Sequence, residues 1–313
     1  LRSGPAGEKF SLRLDRETSD FLENDKDTAF FRFLSFYAVH SPIQTTEELW
    51  EKYRRKAEDI GIADKGYIME RRMPIRQVQD NPVYGGLVET MDQAIGMVLD
   101  KLEELGLEDN TIVVFTSDNG GVASGDNFAT SNLPLRGGKG YQWEGGIREP
   151  YFIKVPWSDV KGEECDIPVT GTDFYPTLLE LTGNELFPGQ HNDGVSLARL
   201  FEGEKEIPER SLIWHYPHYS NQGGDPTSII RRGNWKLIYY WEDGSLELYD
   251  LDKDISEQND LADAFPEVAR ELSDELITFL DEMDANKPMP DTLYNPLLEE
   301  QRLEMMRTKR LSA

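Results

Sequence analysis

Two oxygen-bearing residues, Asp118 and Asn119, stand side by side after an apolar, β-branched run, Thr111 to Phe115. Such a run predicts a buried strand, and ligands in open α/β sheets bind beyond the carboxyl ends of strands. Carboxylate and amide oxygens are the ligands that Ca²⁺ and Mg²⁺ prefer. We therefore predict that both residues bind a cation. The alternative is a simple turn, because Asp-Asn-Gly-Gly is also a common turn sequence.

His40 and Lys139 are the next candidates for chemistry. His40 follows the aromatic run Phe30 to Val39, which predicts a strand, and precedes a Ser-Pro dipeptide that ends it. Imidazole is the usual proton donor near neutral pH. Lys139 lies between two glycines, which let the backbone approach a ligand. The alternatives are a structural histidine that caps a strand and a solvated loop lysine.

The segment WHYPHYS contains His215 and His218 between tyrosines, near a proline. Imidazole and phenol edges hydrogen-bond hydroxyl groups, so these histidines are candidates for a sugar subsite. A partly exposed aromatic cluster is the alternative. Arg148 and Glu144 are expected to form a structural ion pair. Arg136 stays open, because a guanidinium suits an oxyanion ligand as well as a loop carboxylate.

Apolar residues recur at three- and four-residue spacing from Val83 to Leu105, which predicts a long amphipathic helix. Asn-Pro precedes this helix and Gly106 follows it. The strand at Thr111 comes next, so this part has the helix-strand order of α/β proteins. Other elements predicted in the first two thirds are helices over 17–24, 47–60 and 174–181, a loop over 61–79 and a strand over 150–155.

The composition changes near Gly203 to Pro208, and the sequence beyond predicts antiparallel hairpins. We expect strands over 211–215, 234–241 and 246–250, a helix over 264–283 and a tail over 286–313. The predicted fold is α/β, with a mixed, mostly parallel sheet between helices and a small antiparallel C-terminal α+β subdomain. The predicted domains are residues 1–205 and 206–313.

The bulk composition excludes some classes of function. With 33 Lys and Arg against 59 Asp and Glu, the net charge is −26, which argues against a nucleic-acid partner. Cys165 is the sole cysteine, so no intrachain disulfide or cysteine-based zinc site is expected. The sequence has no apolar run long enough to span a bilayer, and residues 1–10 do not resemble a signal peptide.

Six stretches, in this order, resemble the sulfatase family of the alkaline-phosphatase-like superfamily. They cover nearly the whole chain and comprise residues 30–43 (FFRFLSFYAVHSPI), 110–121 (NTIVVFTSDNGG), 133–150 (LPLRGGKGYQWEGGIREP), 172–183 (TDFYPTLLELTG), 193–203 (DGVSLARLFEG) and 231–254 (RRGNWKLIYYWEDGSLELYDLDKD). The resemblance implies a sulfuric ester hydrolase that removes sulfate from a sulfated carbohydrate or an aryl ester.

The resemblance also implies a role for each candidate residue. Asp118 and Asn119 match two ligands of a divalent cation, Ca²⁺ in most members. His40 matches the histidine that protonates the leaving oxygen, and Lys139 matches the lysine that contacts the sulfate. Family members are expected in a periplasmic, secreted or lysosomal compartment.

The sequence departs from the family pattern at the nucleophile. Sulfatases carry a formylglycine in a Cys/Ser-x-Pro-x-Arg motif, together with two further Asp ligands, and neither the motif nor an Asp-Asp pair occurs here. We therefore expect the N-terminal half of the enzyme, in this or another polypeptide, to supply them. The isolated chain should then be inactive and should bind Ca²⁺ weakly. The alternatives are a phosphodiesterase or phosphonate hydrolase of the same superfamily and a non-catalytic sulfated-glycan-binding remnant.

Overall fold

The computed structural model describes residues 10–61, 66–125 and 128–311. The α-helices are α1 (Phe10–Asp25), α2 (Glu47–Ile60), α3 (Pro82–Glu104), α4 (Glu144–Ile147), α5 (Phe174–Leu181), α6 (Pro266–Glu282) and α7 (Pro296–Leu311). The strands are β1 (Tyr67–Glu70), β2 (Met73–Arg76), β3 (Val113–Thr116), β4 (Tyr151–Lys154), β5 (Ser211–Tyr216), β6 (Thr227–Arg232), β7 (Trp235–Tyr240) and β8 (Leu246–Asp250). Short 3₁₀ helices cover Glu108–Asn110, Gly171–Asp173 and Ala198–Glu202.

The long helix α3 begins and ends where its sequence signals predict. The Asn81 side chain accepts hydrogen bonds from the amides of Val83 and Tyr84, at 3.0 and 3.2 Å. This cap satisfies amides that the first turn of a helix leaves unpaired. Helix α2 packs against α3. A Cβ atom on Gly86 would lie 2.9 Å from Cβ of Leu49, so a glycine is required where the two helices meet.

The strand expected over residues 30–39 is absent, and that prediction is wrong. The segment is irregular and ends in a turn, in which the His40 amide donates to the Tyr37 carbonyl at 2.9 Å. The exposed fractions of Phe31 and Phe33 are 76% and 77%. A strand requires a neighbouring backbone to pair with, and no described residue supplies one here. The β-rich composition therefore yields an irregular, unpaired segment.

The strand that ends before Asp118 is observed as β3, and it pairs with β4. The pairing is antiparallel, with Val113 opposite Lys154 and Thr116 opposite Tyr151. The described residues therefore do not show the mostly parallel sheet that we expected, since their three sheets are all antiparallel. β4 runs antiparallel to β3 because the long loop between them reverses the chain and places β4 directly beside β3.

The C-terminal sheet is a four-stranded antiparallel meander in the order β5-β6-β7-β8. Its three predicted strands are confirmed, and Gly244, with a φ of 72°, lies in the expected turn before β8. Sequence reasoning missed β6, because a short apolar run between glycines carries little periodicity. Residues 61–79, expected as a loop, contain the hairpin β1–β2. The tail contains α7, which packs against β2.

One face of the C-terminal sheet is covered by α6, as its amphipathic pattern predicts. Ala269, Leu272, Leu276 and Leu280 are buried and pack with Ile230, Leu237 and Leu248 of the sheet. A second buried cluster lies against the opposite face of the sheet. It joins Ile75, Ala123 and Trp143 with Ile229 and Ile238. Apolar residues from both predicted domains thus share one core, and the boundary near residue 205 remains a prediction.

Replacement of Leu276 by Ala is expected to lower the free energy of unfolding by about 2–5 kcal/mol. The side chain is fully buried between α6 and the sheet, so truncation leaves a cavity. Urea unfolding monitored by circular dichroism measures the change. Thr278→Ala, at an exposed position of the same helix, should change the value by less than about 0.5 kcal/mol. Equal midpoints for the two variants would contradict this packing.

Candidate active site

His40, Asp118, Asn119 and Lys139 line one open cleft with a volume of about 2350 Å³. The end of β3, the turn at the end of the unpaired segment and the glycine-rich loop between β3 and β4 converge there. The four residues that the sequence singled out in three distant stretches therefore all line this one large cleft. His215 and His218 do not line this cleft.

Asp118 and Asn119 are held at the cleft by the two glycines that follow them. A Cβ atom on Gly120 would lie 1.8 Å from the carbonyl oxygen of Gly145, so this position requires glycine. The Gly120 amide donates to the Gly146 carbonyl at 3.3 Å. The two glycines thus serve a close contact between loops, and the exposed Asp118 carboxylate faces solvent.

The loop that carries Lys139 lies directly against this strand end. The Lys139 amide donates to the Gly121 carbonyl at 3.1 Å. The side-chain amide of Asn132 donates to the carbonyls of Gly121 and Gly137, at 2.9 and 3.0 Å. These hydrogen bonds hold the backbone at Gly121 against the loop that contains Gly137 and Lys139. The half-buried Lys139 ammonium has no ion-pair partner within 4.0 Å among the residues that the structure describes.

His40 is exposed at the cleft with a defined ring orientation. Its Nδ1 lies 2.8 Å from the Ser41 carbonyl, so Nδ1 carries a proton and donates it there. Nε2 is then the nitrogen that can take up and release a second proton. The ring also packs edge-on against Tyr37, with centroids 5.7 Å apart. This arrangement suits a general acid that works through Nε2.

Glu149 also lines the cleft, and sequence reasoning missed it. The register that places Thr116 opposite Tyr151 brings Glu149 across from Asp118, each two residues beyond the paired strands. Burial, with a further contribution from the Asp118 charge, raises the pKa of Glu149 to about 7. Its Oε1 is buried without a hydrogen-bond partner in the described part of the chain. The cleft therefore contains an acidic pair, one member of which holds its proton unusually tightly.

The raised pKa of Glu149 predicts a pH-dependent stability. Its folded-state pKa of about 7 lies above the ordinary 4.5, so its contribution to stability is complete below about pH 4.5 and is lost towards pH 7. The free energy of unfolding of Glu149→Gln should therefore rise relative to that of wild type as the pH increases from 5 to 8. Because the side chain is partly exposed, solvent screening limits this gain to about 1 kcal/mol.

Urea unfolding of both proteins in chelator, at pH 5 and pH 8, measures the effect of Glu149→Gln. Glu163→Gln, at an exposed loop position, is the matched control and should follow wild type at both pH values. A constant difference between Glu149→Gln and wild type across this range would contradict the assignment.

The arginines near the cleft are held by protein carboxylates. The Nε and Nη2 atoms of Arg136 donate to the two carboxylate oxygens of Glu70, at 3.0 and 2.7 Å. Its guanidinium also stacks on the Trp143 ring, 3.8 Å from the centroid. Arg136 is therefore structural, which resolves the open alternative. Arg148 lies 3.8 Å from a carboxylate oxygen of Glu144, as the expected ion pair requires.

The histidines of the WHYPHYS segment lie on and beyond β5. Nδ1 of His215 lies 2.6 Å from the Ser228 hydroxyl and Nε2 lies 2.8 Å from the Asn286 carbonyl. Both ring nitrogens are thus engaged within the protein. His218 is exposed and packs edge-on against Tyr216, with centroids 5.5 Å apart. Their role in substrate binding stays a prediction.

The side chains present fit part of a calcium site. Within the described ranges, no group of three or more His, Cys, Asp or Glu residues could hold a metal ion. Asp118 and Asn119 supply two adjacent oxygen ligands of the type that a hard cation prefers, whereas Ca²⁺ takes about six to eight. No helix in the described part of the chain has the length and apolar character of a membrane span.

Two family models match the chain. The model described as "Sulfatase" matches residues 11–184. The model described as "N-sulphoglucosamine sulphohydrolase, C-terminal" matches residues 138–285. Together they cover the cleft residues and the C-terminal sheet.

Curated relatives include a sulfatase of Formosa agariphila, which is 34% identical over 254 residues. That match covers 75% of this chain and 42% of the relative. A steryl-sulfatase of Rattus norvegicus is 35% identical over 209 residues, covering 65% of this chain and 32% of the relative. The chain thus spans less than half the length of either relative.

Solved structures show the same fold. The complex of Ps i-CgsB with k-i-k-neocarrahexaose has a TM-score of 0.71 at 24% identity, covering 99% of this chain and 62% of that chain. BT4656 in complex with its substrate D-glucosamine-2-N,6-O-disulfate has a TM-score of 0.54 at 26% identity, covering 66% of this chain and 41% of that chain. The expected alkaline-phosphatase-like fold class is confirmed, although the described strands pair only antiparallel. The chain belongs to the sulfatase family.

Proposed function

We propose that this chain forms the C-terminal part of a sulfuric ester hydrolase. The observation that carries the proposal is the convergence of His40, Asp118, Asn119 and Lys139 on one cleft. The family assignment supports it, because these residues lie in the stretches that resemble sulfatases. The relatives are longer than this chain, so we propose that further polypeptide completes the site with the formylglycine nucleophile and the remaining cation ligands.

Each cleft residue has its own role in the cleavage of a sulfate ester. Lys139 places an ammonium against the sulfate oxygens and offsets their charge. His40 delivers a proton from Nε2 to the departing alcohol oxygen, while its Nδ1 stays bonded to the Ser41 carbonyl. Asp118 and Asn119 would hold the calcium ion, which supplies Lewis-acid stabilisation of oxygen charge when bound.

We propose a sulfated carbohydrate or another sulfate ester as the substrate. The printed substrate of BT4656, a glucosamine disulfate, supports the carbohydrate. His215 and His218 remain candidates for a sugar subsite, with His218 the more accessible because His215 already bonds through both ring nitrogens. We also propose a periplasmic, secreted or lysosomal location, as expected of the family.

His40→Ala in the full-length polypeptide tests the proposal. Loss of a general acid is expected to lower kcat for nitrophenyl sulfate by about 10²- to 10⁴-fold. His191→Ala is the matched control, since His191 does not line the cleft. Wild type should cleave nitrophenyl sulfate in preference to bis(nitrophenyl) phosphate. Preference for the phosphate diester would favour a phosphodiesterase, and an unchanged kcat in His40→Ala would exclude the assigned role.

The isolated 313-residue chain should bind Ca²⁺ weakly and should not hydrolyse nitrophenyl sulfate. Two ligands leave most of the coordination shell to water, so we expect a dissociation constant on the order of a millimolar or weaker. Calorimetric titration in calcium buffers measures the affinity. Tight binding or turnover by this chain alone would show that the cation site is complete without further polypeptide.

A further inference from the structure

Lys236 is a fully buried lysine at the second position of β7. Its ammonium lies 2.9 Å from Oε1 of Glu144 and 2.8 Å from Oε1 of Glu257. Both carboxylates are also buried, at 2% and 0% exposure. Lys236 thus joins the loop after β8 and the helix α4 to an inner strand of the C-terminal sheet.

Such a cluster is stable only while its charges compensate each other. Removing one partner of a buried ion pair leaves an unpaired charge in the interior, which is strongly destabilising. Arg231 and Arg148 approach Glu144 at 3.7 and 3.8 Å, which is more distant than Lys236. Lys236 is therefore the group that fixes the position of Glu144.

Glu144 connects this cluster to the cleft through the backbone of α4. Its amide donates to Oε2 of Glu257 at 2.6 Å, so side chain and backbone are both anchored. The next two residues, Gly145 and Gly146, form the surface against which Gly120 packs. Gly120 directly follows Asn119. A shift of α4 must therefore move the backbone that presents the two cation ligands.

We infer that Lys236, through Glu144 and Glu257, is a positioning residue for the cation ligands Asp118 and Asn119. Lys236 does not line the cleft. It acts through the Gly120 contact, and the inference rests on the proposed function. The C-terminal sheet is then part of the catalytic architecture, since it sets the geometry of ligands that belong to β3.

Lys236→Met in the full-length polypeptide tests the inference. Loss of supporting interactions around a metal ligand typically costs 10- to 100-fold in affinity, and we expect a Ca²⁺ affinity lowered by this factor. Amide hydrogen exchange over residues 118–121 and 144–147 should accelerate even without calcium. The kcat for nitrophenyl sulfate should fall more than KM changes, because the misplaced groups act on charge that develops during the reaction.

Lys161→Met is the matched control, since Lys161 is exposed and does not line the cleft. It should leave calcium affinity, exchange and kcat unchanged. If Lys236→Met does not fold, Glu257→Gln decides by the same measurements, because an amide can keep one hydrogen bond but not the charge. Wild-type affinity and exchange in a folded variant would overturn the inference. Failure of wild type itself to bind Ca²⁺ or cleave the ester would instead refute the proposed function.

Discussion

Asp118→Asn in the full-length polypeptide is expected to lower kcat/KM for nitrophenyl sulfate by about 10³-fold or more. A bound cation contributes several kcal/mol to stabilising oxygen charge, and about 4 kcal/mol corresponds to 10³ in rate. The change keeps the shape of the side chain but removes the charge that attracts the ion. Because Asp118 is exposed at the cleft, folding should be little affected.

Two measurements separate this effect from a general loss of structure. Calorimetric titration should show a weakened Ca²⁺ affinity for Asp118→Asn, and thermal unfolding in chelator should match wild type. Asp109→Asn, at an exposed position before β3, should retain both calcium affinity and activity. Unchanged calcium affinity in Asp118→Asn would remove this residue from the cation site.

Asp173→Ala is expected to destabilise the fold by about 3–5 kcal/mol, the cost of leaving a buried charge unpaired. The fully buried Asp173 carboxylate accepts hydrogen bonds from the amides of Thr170 and Val195, at 2.8 and 2.9 Å. It also accepts one from Nη1 of Arg210 at 2.7 Å. One side chain thus ties the start of α5 to the residue that precedes β5.

Urea unfolding measures the effect of Asp173→Ala. Asp193→Ala serves as its control, because this aspartate lies in the same region but is exposed. Its free energy of unfolding should stay within about 0.5 kcal/mol of the wild-type value. A comparably small shift for Asp173→Ala would mean that the carboxylate is not required to hold these segments together.

Local sequence signals correctly predicted the elements whose ends are marked by nearby residues in the sequence. Helix α5 and strand β8 begin and end at the predicted residues, and α3 begins at its Asn-Pro signal. The resemblance to sulfatases placed His40, Asp118, Asn119 and Lys139 in one site, and the structure brings them to one cleft.

Features that depend on pairing between distant segments were not predictable. Glu149 faces Asp118 only because β4 runs antiparallel to β3, and the sequence favoured a parallel sheet. Lys236 lies in a run that predicts a strand, but a lysine there would ordinarily be placed on the surface. Its burial depends on two glutamates that lie far away in the chain. Neither arrangement leaves a local signal.

The unpaired segment before His40 has a consequence for handling the isolated chain. Phe31, Phe33 and Tyr37 are exposed on an irregular segment that has no strand partner among the described residues. Such a segment is a template for pairing between molecules. The net charge of −26 opposes association by long-range repulsion, which salt screens. Low ionic strength should therefore keep the chain monodisperse, whereas raising the salt concentration should promote aggregation through this segment.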